Sequence, residues 1–420
     1  MIVKKKIFYY SVFLLICILL YVSLNFSKIK DKAYIKYPNL KLTKYLLKNK
    51  SLMDNINNDY NVKFLPETEF VKLEFIKKKI KFKDEYYNPP KDKSISYKTY
   101  GTFFIDQHND TIIVTDFLGN IYILDNDDNI VNKSKKIINT TNLQSNLIAK
   151  RVFDTLIIED ILYVSHTTNT NECQIINISF AKIKSNNLNF QNLFKSNECN
   201  NNGAPGRMQF FTHNNKDGIL LSTNAGTFDT PGNTAQDKKS IFGKILFIEI
   251  NSKKNYIYSY GHRVIQGLYA ENNLIISTEH GPKAGDEINN ILFNQNYGWP
   301  IASYGDKYIF DHNKKPFYKK SHKTLGFVEP LFSFIPGIGI SEIIKLKNNF
   351  SPHFQNRFIV SSLNGRSIFI VNFDSKISRV ITYEKIFLNE RIRDVKYDSK
   401  NRSILLALEE NGEIGILLTN

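Results

Sequence analysis

One strand pattern recurs six times along this sequence and limits the folds that the chain can adopt. Each copy has an apolar strand, a turn rich in Asn, Asp or Gly, and a strongly apolar second strand that ends in a small residue. The six small residues are Thr115, Ser165, Ser222, Ser277, Ser361 and Ala407. The intervals between them are about 50, 57, 55, 84 and 46 residues. A repeat of this length is longer than a hairpin and shorter than a domain.

Most copies are followed by a turn and a further strand, so at least three strands are recognisable in each copy and the interval has room for a fourth. Four strands in roughly 45–55 residues is the spacing of a propeller blade. The sequence therefore predicts an all-β chain folded as a six-bladed β-propeller. Residues 67–83 are predicted to add the strand that closes the ring, and the 84-residue interval predicts an insertion within 301–336 over one end of the channel. A β-sandwich is the alternative, but it does not explain the long-period repetition.

The amino terminus has the pattern of a membrane segment. Three lysines at positions 4–6 precede an uncharged run over 7–24, which is about 27 Å long as a helix and long enough to cross a bilayer. The preceding lysines predict an N-inside orientation, and no small-x-small cleavage site follows, which favours an uncleaved signal anchor over a cleaved signal. We predict a signal anchor or transmembrane helix over 1–27, a basic stem over 28–66 and the propeller over 67–420. This order predicts a protein anchored in the inner membrane with its propeller in the periplasm.

The positive charge is concentrated outside the predicted propeller. The formal net charge is +16, and residues 1–93 carry +11 of it. A nucleic-acid-binding domain is expected to carry its basic residues on one face of the folded module. The distribution therefore excludes nucleic acid as the expected partner.

Two cysteines follow the predicted anchor. Cys173 and Cys199 flank two predicted strands joined by a turn at 185–187. In an antiparallel hairpin centred on Asn186 they face each other across the open end, within reach of a disulfide. The alternative is a pair of unrelated thiols.

Four motifs in the second half of the chain resemble those of a known family. They are Tyr-Gly-His-Arg-Val-Ile-Gln-Gly-Leu at 260–268, Ser-Thr-Glu-His-Gly-Pro at 277–282, Gly-Asp-Glu-Ile-Asn at 285–289 and Asn-Tyr-Gly-Trp-Pro at 296–300. Together they resemble the signature of the soluble quinoprotein glucose/sorbosone (aldose sugar) dehydrogenases, and a weaker resemblance extends over about 95–420. These enzymes are six-bladed propellers that hold pyrroloquinoline quinone (PQQ) and calcium at the channel mouth. The resemblance implies oxidation of a sugar by hydride transfer to PQQ with Ca²⁺, and a respiratory electron acceptor.

The resemblance also implies roles for individual residues. The main-chain carbonyls of Gly281 and Pro282 match calcium ligands, and Ca²⁺ prefers oxygen ligands of this kind. The arginines that match cofactor-binding positions are Arg263, which also reaches the substrate, Arg391 and Arg393. Gln144 matches a sugar-binding glutamine. Arginine suits the carboxylates of PQQ because its guanidinium pairs with them bidentately.

Two of these assignments have structural alternatives. The three arginines could instead form an ion-pair network on the propeller face. Asp286 and Glu287 are either a second calcium site or a pair that caps a turn.

The chain departs from the family pattern at several positions. The position of the general base is Gly203, which cannot accept a proton, and a missing base typically costs 10²–10⁴-fold in rate. The family's Asn-Pro after Gly-His-Arg is replaced at 264–265, a cofactor-facing lysine by Asn364, and a Thr or Ser by Gly337.

These departures leave two hypotheses about function. His166 and His280 are the candidates to replace the missing base, with an ordinary structural histidine as the alternative for each. The first hypothesis is a sugar dehydrogenase that uses one of them. The second is a catalytically inactive propeller that binds a glycan, an anion or a protein at the cell envelope.

Overall fold

The computed structural model describes most of the chain from Lys72 onward. The described ranges are 72–81, 102–124, 130–170, 173–184, 187–200, 204–225, 234–307 and 318–419. The predicted anchor over 1–27 and stem over 28–66 lie outside these residues. Within the described ranges, no helix has the length and apolar character needed to cross a bilayer.

The described residues form β-strands and two short 3-10 helices, Lys323–Leu325 and Pro352–Phe354. The strands form six four-stranded antiparallel units. Unit 1 contains β2 (Phe103–His108), β3 (Thr111–Asp116), β4 (Ile121–Leu124) and β5 (Ile137–Ser145). Unit 2 contains β6 (Arg151–Ile158), β7 (Ile161–Asn169), β8 (Gln174–Lys182) and β10 (Gln191–Cys199), and the short β9 (Asn187–Leu188) pairs with β5. Unit 3 contains β11 (Pro205–His213), β12 (Lys216–Thr223), β13 (Lys244–Glu249) and β14 (Asn255–Tyr260).

The remaining strands form the last three units and complete the ring. Unit 4 contains β15 (Ile265–Glu271), β16 (Leu274–Glu279), β17 (Asp286–Asn290) and β18 (Phe332–Phe334). Unit 5 contains β19 (Ile340–Lys345), β20 (Phe358–Ser362), β21 (Ser367–Phe373) and β22 (Val380–Phe387). Unit 6 contains β23 (Ile392–Asp398), β24 (Ser403–Leu408), β25 (Glu413–Thr419) and β1 (Leu73–Lys81). The first strands of the units, β2, β6, β11, β15, β19 and β23, contact one another in cyclic order. The predicted all-β, propeller-like architecture is therefore confirmed.

The amino-terminal strand β1 closes the ring, as the sequence predicted for this region. It pairs antiparallel with β25 from Leu73 opposite Thr419 to Lys79 opposite Glu413. Its last residues also pair in parallel with β5, where Ile80 lies opposite Ile138. Units 1 and 6 thus share one continuous sheet, which joins the two ends of the propeller.

A β-bulge interrupts the first strand of five units, and in two of them it explains the small residue in the repeat. The register shifts lie between Val152 and Asp154, Pro205 and Met208, Ile265 and Gly267, Ile340 and Ile343, and Ile392 and Asp394. A bulge leaves residues outside the ladder and re-aims their side chains. In unit 3 the amide of Arg207 donates to Ser222 Oγ at 2.9 Å, and in unit 5 the amide of Glu342 donates to Ser361 Oγ at 3.0 Å. The small hydroxyl residue therefore accepts a bulge amide in these units.

The insertion and the two cysteines lie where the sequence placed them. The chain between β17 and β18 spans 291–331 and includes most of the predicted insertion. Cys173 and Cys199 are joined by a disulfide, with Cα atoms 5.6 Å apart. The single hairpin register that the sequence suggested does not hold, because bulges in β10 shift the pairing and place Cys199 opposite Ile175.

The closing strand generates a prediction about stability. Ile80 is 1% exposed in the core between units 1 and 6, whereas Ile137, on the neighbouring β5, is 41% exposed. Ile80→Ala should lower the free energy of unfolding by about 2–5 kcal/mol because it leaves a buried cavity. Ile137→Ala, the matched control, should cost about 1 kcal/mol or less. Urea denaturation followed by circular dichroism measures both, and equal effects would contradict the closing role of β1.

Candidate active site at the channel mouth

The side chain of Arg207 lies in the central channel among three carboxylates. Its Nη1 atom is 2.9 Å from Asp154 Oδ1, 3.0 Å from Asp394 Oδ1 and 3.0 Å from Glu342 Oε2. These acids come from three different units. In the part of the chain that the structure describes, they are the one group of three potential metal ligands that lie within 4.8 Å of one another. The guanidinium supplies the positive charge that such a group requires.

Arg207 also contacts the first strands of the remaining units. Its Nε donates to the carbonyl of Gln266 at 2.7 Å, and its Nη2 donates to the carbonyl of Arg393 at 2.6 Å. The guanidinium carbon lies 5.2 Å from the centre of the Phe104 ring. This one side chain therefore contacts all five neighbouring inner strands.

The crowding of acids around Arg207 changes their proton affinity. Burial, with the charges of Asp394 and Asp154, raises the pKa of Glu342 to about 8 in spite of Arg207. Burial raises the pKa of Asp154 to about 6, although Arg207 and Lys396 oppose the shift. At neutral pH the channel therefore retains a proton on Glu342.

A small pocket that is open to solvent brings together several residues that the sequence singled out. Its lining residues are Arg263, Glu279, His280, Gly281, Glu287, Tyr297, Trp299, Ala302, Ser303 and His322. They come from the ends of β16 and β17, from the loops beside them, and from the insertion between β17 and β18. Four of the ten, Arg263, His280, Gly281 and Glu287, are predicted site residues.

Arg263 is held between a carboxylate and an aromatic ring. Its amide donates a short hydrogen bond to Glu279, and its Nη1 donates to the carbonyl of His280 at 3.2 Å. Its guanidinium carbon lies 5.2 Å from the centre of the Trp299 ring, a cation–π geometry. The position of this arginine therefore depends on both Glu279 and Trp299.

Behind Arg263, a Ser-His-Glu series supports Glu279. Ser259 Oγ lies 2.8 Å from His262 Nε2, and His262 Nδ1 lies 3.1 Å from Glu279 Oε2. Ser259 and His262 are both 0% exposed, so no substrate reaches the serine. The series orients Glu279 and has no access for hydrolytic chemistry.

His280 is placed to act as a proton acceptor. Its Nε2 donates to the carbonyl of Ile340 at 2.5 Å, and because a carbonyl only accepts, Nδ1 carries the lone pair of the neutral ring. Burial lowers the pKa of His280; Asp286 opposes this shift, and Arg263 and Arg393 reinforce it. The imidazole is therefore neutral at pH 7.

The other candidate base and the predicted sugar ligand do not line this pocket. His166 is buried on β7, where its Nε2 lies 2.8 Å from Ser179 Oγ, and burial lowers its pKa to about 4. Gln144 is exposed on β5, the outer strand of unit 1. Of the two candidate histidines, the structure brings His280 to the predicted arginine.

Arg391 and Arg393 meet at a shared buried carboxylate. Arg391 donates to Glu409 Oε1 from Nε at 2.9 Å and from Nη2 at 2.8 Å, and Arg393 donates to Glu409 Oε2 at 2.8 Å. A further bond of 2.8 Å joins Arg393 to Gln266 Oε1. Burial alone would raise the pKa of Glu409, but the two guanidiniums outweigh it and lower that pKa. These contacts form the ion-pair network that the structural alternative predicted. Two guanidiniums and one carboxylate leave a net positive charge in this network. The cofactor-binding role of the two arginines stays a prediction.

Asp286 caps the turn that carries Gly281. Its carboxylate accepts hydrogen bonds from the amides of Gly281 at 3.0 Å, Ile338 at 2.8 Å and Ile340 at 3.1 Å. A Cβ atom at Gly281 would lie 2.1 Å from the carbonyl oxygen of Ala284, so the turn accepts glycine alone. The capping alternative therefore describes Asp286, and the peptide that joins Gly281 to the next residue is held rigidly.

Glu287, the second acid of that pair, is buried in the pocket. Burial raises its pKa well above the ordinary value, and the charge of Glu279, directly opposite on β16, adds to the shift. Its Oε1 lies 3.6 Å from His322 Nε2. Glu287 therefore retains a proton more readily than an exposed glutamate.

The structure describes some of the positions at which the chain departs from the family pattern, but not all of them. Gly203 lies outside the described residues. A Cβ atom at Gly337 would lie 2.9 Å from the Cα of Ala284, so a Thr or Ser there would require the loop to shift. Val264 accepts the amide of His280 through its carbonyl at 2.9 Å, a bond that does not depend on its side chain.

Several residues of the site and the channel were missed by sequence reasoning. These are Arg207, Lys244, Glu279, Trp299, His322, Glu342 and Glu409. A charged residue inside an otherwise apolar first strand, as at Arg207 and Glu342, is the signal that could have found the channel network. Glu279 and Trp299 lie within the motifs at 277–282 and 296–300, which is the signal that could have found them. His322 carries no such signal.

Comparisons with known proteins show the family of this chain. Residues 100–417 match the family model for Glucose / Sorbosone dehydrogenase. The chain is 28% identical over 200 residues to the aldose sugar dehydrogenase YliI of Escherichia coli (strain K12), covering 43% of this chain and 52% of that protein. It is 36% identical over 84 residues to quinoprotein glucose dehydrogenase B of Acinetobacter calcoaceticus, covering 17% of this chain and 18% of that protein. The matched parts thus span about half or less of these relatives.

Solved structures share the fold at low sequence identity. The soluble aldose sugar dehydrogenase from Escherichia coli in its apo form superposes with a TM-score of 0.61 at 16% identity, covering 84% of this chain and 99% of that one. The PQQ-bound aldose sugar dehydrogenase from Streptomyces coelicolor superposes with a TM-score of 0.54 at 16% identity, covering 74% and 91%. At these identities the likeness concerns the fold alone.

The channel network predicts how stability depends on pH. The unfolded chain releases the proton of Glu342 near its ordinary pKa of 4.5, whereas the folded chain holds it to about pH 8. Between these values the folded state binds more protons, so this group makes the free energy of unfolding fall as pH rises. Glu342→Gln should make the decline between pH 5 and pH 8 shallower, and Glu384→Gln, at an exposed position of β22, should leave it unchanged. Urea denaturation at each pH measures this, and an unaltered decline in Glu342→Gln would exclude the assignment.

Proposed function

The chain belongs to the glucose/sorbosone dehydrogenase family, and we propose that it oxidises an aldose sugar by hydride transfer to PQQ with Ca²⁺. The observation that carries this proposal is the pocket in which Arg263, His280 and Gly281 meet at the channel mouth. These residues match family positions, and they are held by contacts that leave little freedom of movement. The sugar itself would enter from the open side of the pocket.

The donor set near the pocket fits the cofactor and its metal. The carboxylates of PQQ would lie beside the guanidiniums of Arg263, Arg391 and Arg393. Arg391 and Arg393 share a single carboxylate, Glu409, so one of their two positive charges is not neutralised by it. The carbonyls of Gly281 and Pro282 would serve Ca²⁺, which accepts main-chain oxygens. When bound, PQQ would supply the acceptor for the hydride, and Ca²⁺ would supply a Lewis acid that polarises it.

The proton of the reaction requires a base from this chain. Oxidation at C1 of the sugar removes a hydride from carbon and a proton from the hydroxyl oxygen, and a lactone is released. We assign the proton to His280 Nδ1, because the hydrogen bond from Nε2 to Ile340 leaves Nδ1 as the acceptor. Arg263 would orient the sugar beside it. This assignment compensates for the glycine at the family's base position.

The cellular setting is part of the proposal. The apolar run over 7–24 would anchor the chain in the inner membrane, and the stem over 28–66 would connect it to the propeller in the periplasm. A disulfide between Cys173 and Cys199 is typical of an oxidising compartment. Electrons would leave the reduced cofactor for a respiratory acceptor.

Specific observations favour the second candidate function, a propeller without turnover. Arg391 and Arg393 already have a carboxylate partner in Glu409, and Gly203, Gly337 and Asn364 lack the functional groups of the family. Such a protein would use the same positive mouth to bind a glycan, an anion or a protein. The two experiments below distinguish the candidates.

The choice of base predicts unequal effects for two histidines. With PQQ, Ca²⁺ and a panel of aldoses, the purified protein should reduce an electron-accepting dye. His280→Gln should lower kcat by about 10²–10⁴-fold, the usual contribution of a general base. His166→Gln, a buried histidine outside the pocket, serves as the control and should change kcat little. Equal losses in both variants, at unchanged melting temperature, would refute His280 as the base.

The positive mouth predicts cofactor binding even without turnover. Saturating PQQ with Ca²⁺ should raise the melting temperature, since ligand at 100 times its Kd adds about 2.7 kcal/mol to stability. Arg391→Gln should reduce this shift, whereas Arg366→Gln, which removes a surface ion pair with Glu410, should not. A melting temperature that stays constant at saturating PQQ and Ca²⁺ would favour the second candidate.

A further inference from the structure

Lys244, at the start of β13, is a buried cation enclosed by main-chain oxygens. Its Nζ donates to the carbonyls of Thr234 at 2.6 Å, Ala235 at 3.0 Å and Phe242 at 2.7 Å. The side chain is 0% exposed. An ammonium has three hydrogens to donate, and these three bonds use all of them. The segment 234–243 is therefore fastened at both ends to one charge.

Segment 234–243 packs against Trp299, the tryptophan that lines the pocket. Ala235 packs in a buried cluster with Trp299, and Gln236 Nε2 donates to the carbonyl of Trp299 at 2.6 Å. Gln236 also exchanges two side-chain hydrogen bonds with Asn296, of 3.1 and 2.8 Å. Trp299 in turn lies beneath Arg263. A continuous series of contacts thus runs from Lys244 to the proposed substrate arginine.

We propose that Lys244 is a positioning residue for the mouth pocket, whose charge holds segment 234–243 against Trp299 and thereby holds Arg263 in place. A neutral amine donates two hydrogens, so loss of the charge leaves one of the three carbonyls without its bond. Segment 234–243 then packs less tightly against Trp299, while the rest of the propeller stays folded. The consequence for turnover rests on the proposed function, but the movement of the segment does not.

The surroundings of Lys244 place the loss of charge within an accessible pH range. Burial lowers the pKa of Lys244 to about 8, and the charges of Asp237 and Glu198 oppose the shift. Tyr260 lies opposite on β14, with Lys238 4.8 Å from its ring centre. Free lysine keeps its proton to pH 10.5, so between pH 8 and 10.5 the unfolded chain binds more protons. This group therefore makes global stability rise with pH in that window, and a local change at Trp299 is distinguishable from unfolding.

Trp299 is the one tryptophan of the chain and reports directly on its packing against the segment. The histidine and tyrosine side chains near the pocket titrate outside the range from pH 7 to 9.5. Burial lowers the pKa of His280 and of His322 below 6.5, and burial raises the pKa of Tyr304 to about 12 and that of Tyr297 above its ordinary value. Glu342 in the channel also has a pKa of about 8, and burial raises the pKa of Glu287 in the pocket. The change is therefore assigned to Lys244 by its loss in Lys244→Met.

The experiment is a fluorescence titration of the full-length protein from pH 7 to 9.5. Trp299 emission should change with a midpoint near pH 8, and quenching by acrylamide should increase about twofold or more above it. Lys244→Met should abolish the titration and show at pH 7 the emission that the unsubstituted protein shows at pH 9.5. Lys238→Met removes a lysine that belongs to the segment and lies over the Tyr260 ring but does not bond to the three carbonyls that Lys244 binds; it should leave the titration intact.

Two outcomes overturn the proposal: a titration that persists in Lys244→Met, or constant emission and quenching in the unsubstituted protein. The second readout remains decisive if Lys244→Met fails to fold, because it needs no variant. Neither readout requires PQQ or sugar. Failure of the dye assay therefore bears on the proposed function alone, and failure of the titration bears on Lys244 alone.

Discussion

The rest of the structure depends on one guanidinium in the central channel. Arg207 bonds to carboxylates from three units and to main-chain carbonyls from two, and it packs against an aromatic ring of unit 1. Buried ion pairs contribute little net stability relative to apolar packing, but removing one partner leaves uncompensated charge and is costly. The network therefore acts mainly by defining geometry. Because the bulges of the inner strands present these groups to the channel, the register of the six units is tied to one side chain.

The Arg207 network also fixes the position of Arg393, one of the predicted cofactor-binding residues. Arg207 holds the carbonyl of Arg393, while Gln266 accepts a hydrogen bond from that residue's guanidinium. The channel is rich in carboxylates and retains a proton, whereas the mouth has more guanidiniums than carboxylates in its ion-pair network. The excess of guanidinium over carboxylate at Arg391, Arg393 and Glu409 would suit an anionic ligand there, whereas the pocket beside Arg263 also holds Glu279 and Glu287. Burial is the main reason that the pKa of His280 is lowered, and the charges of Arg263 and Arg393 add to this shift.

The fold was predictable from sequence because its information is local and repeated. Six copies of an apolar strand pair ending in a small residue predict six units, and the extended amino-terminal segment predicts closure. The site was predictable only where contiguous motifs carry it, as at Arg263, His280 and Gly281. The roles of Asp286, Arg391 and Arg393 stayed open, since a carboxylate that caps a turn and one that binds a metal look identical in sequence. Arg207 and Lys244 escaped notice because their partners lie on strands and loops far apart in the chain.

The central claim is that the pocket of Arg263 and His280 is where this protein holds its cofactor and does its chemistry. The most direct measurement is a crystal structure of the protein grown with PQQ and Ca²⁺. The account predicts electron density for a flat tricyclic molecule and one metal ion in that pocket, next to the carbonyls of Gly281 and Pro282. A well-ordered structure at saturating PQQ and Ca²⁺ without such density, or with the cofactor bound elsewhere on the propeller, would contradict it.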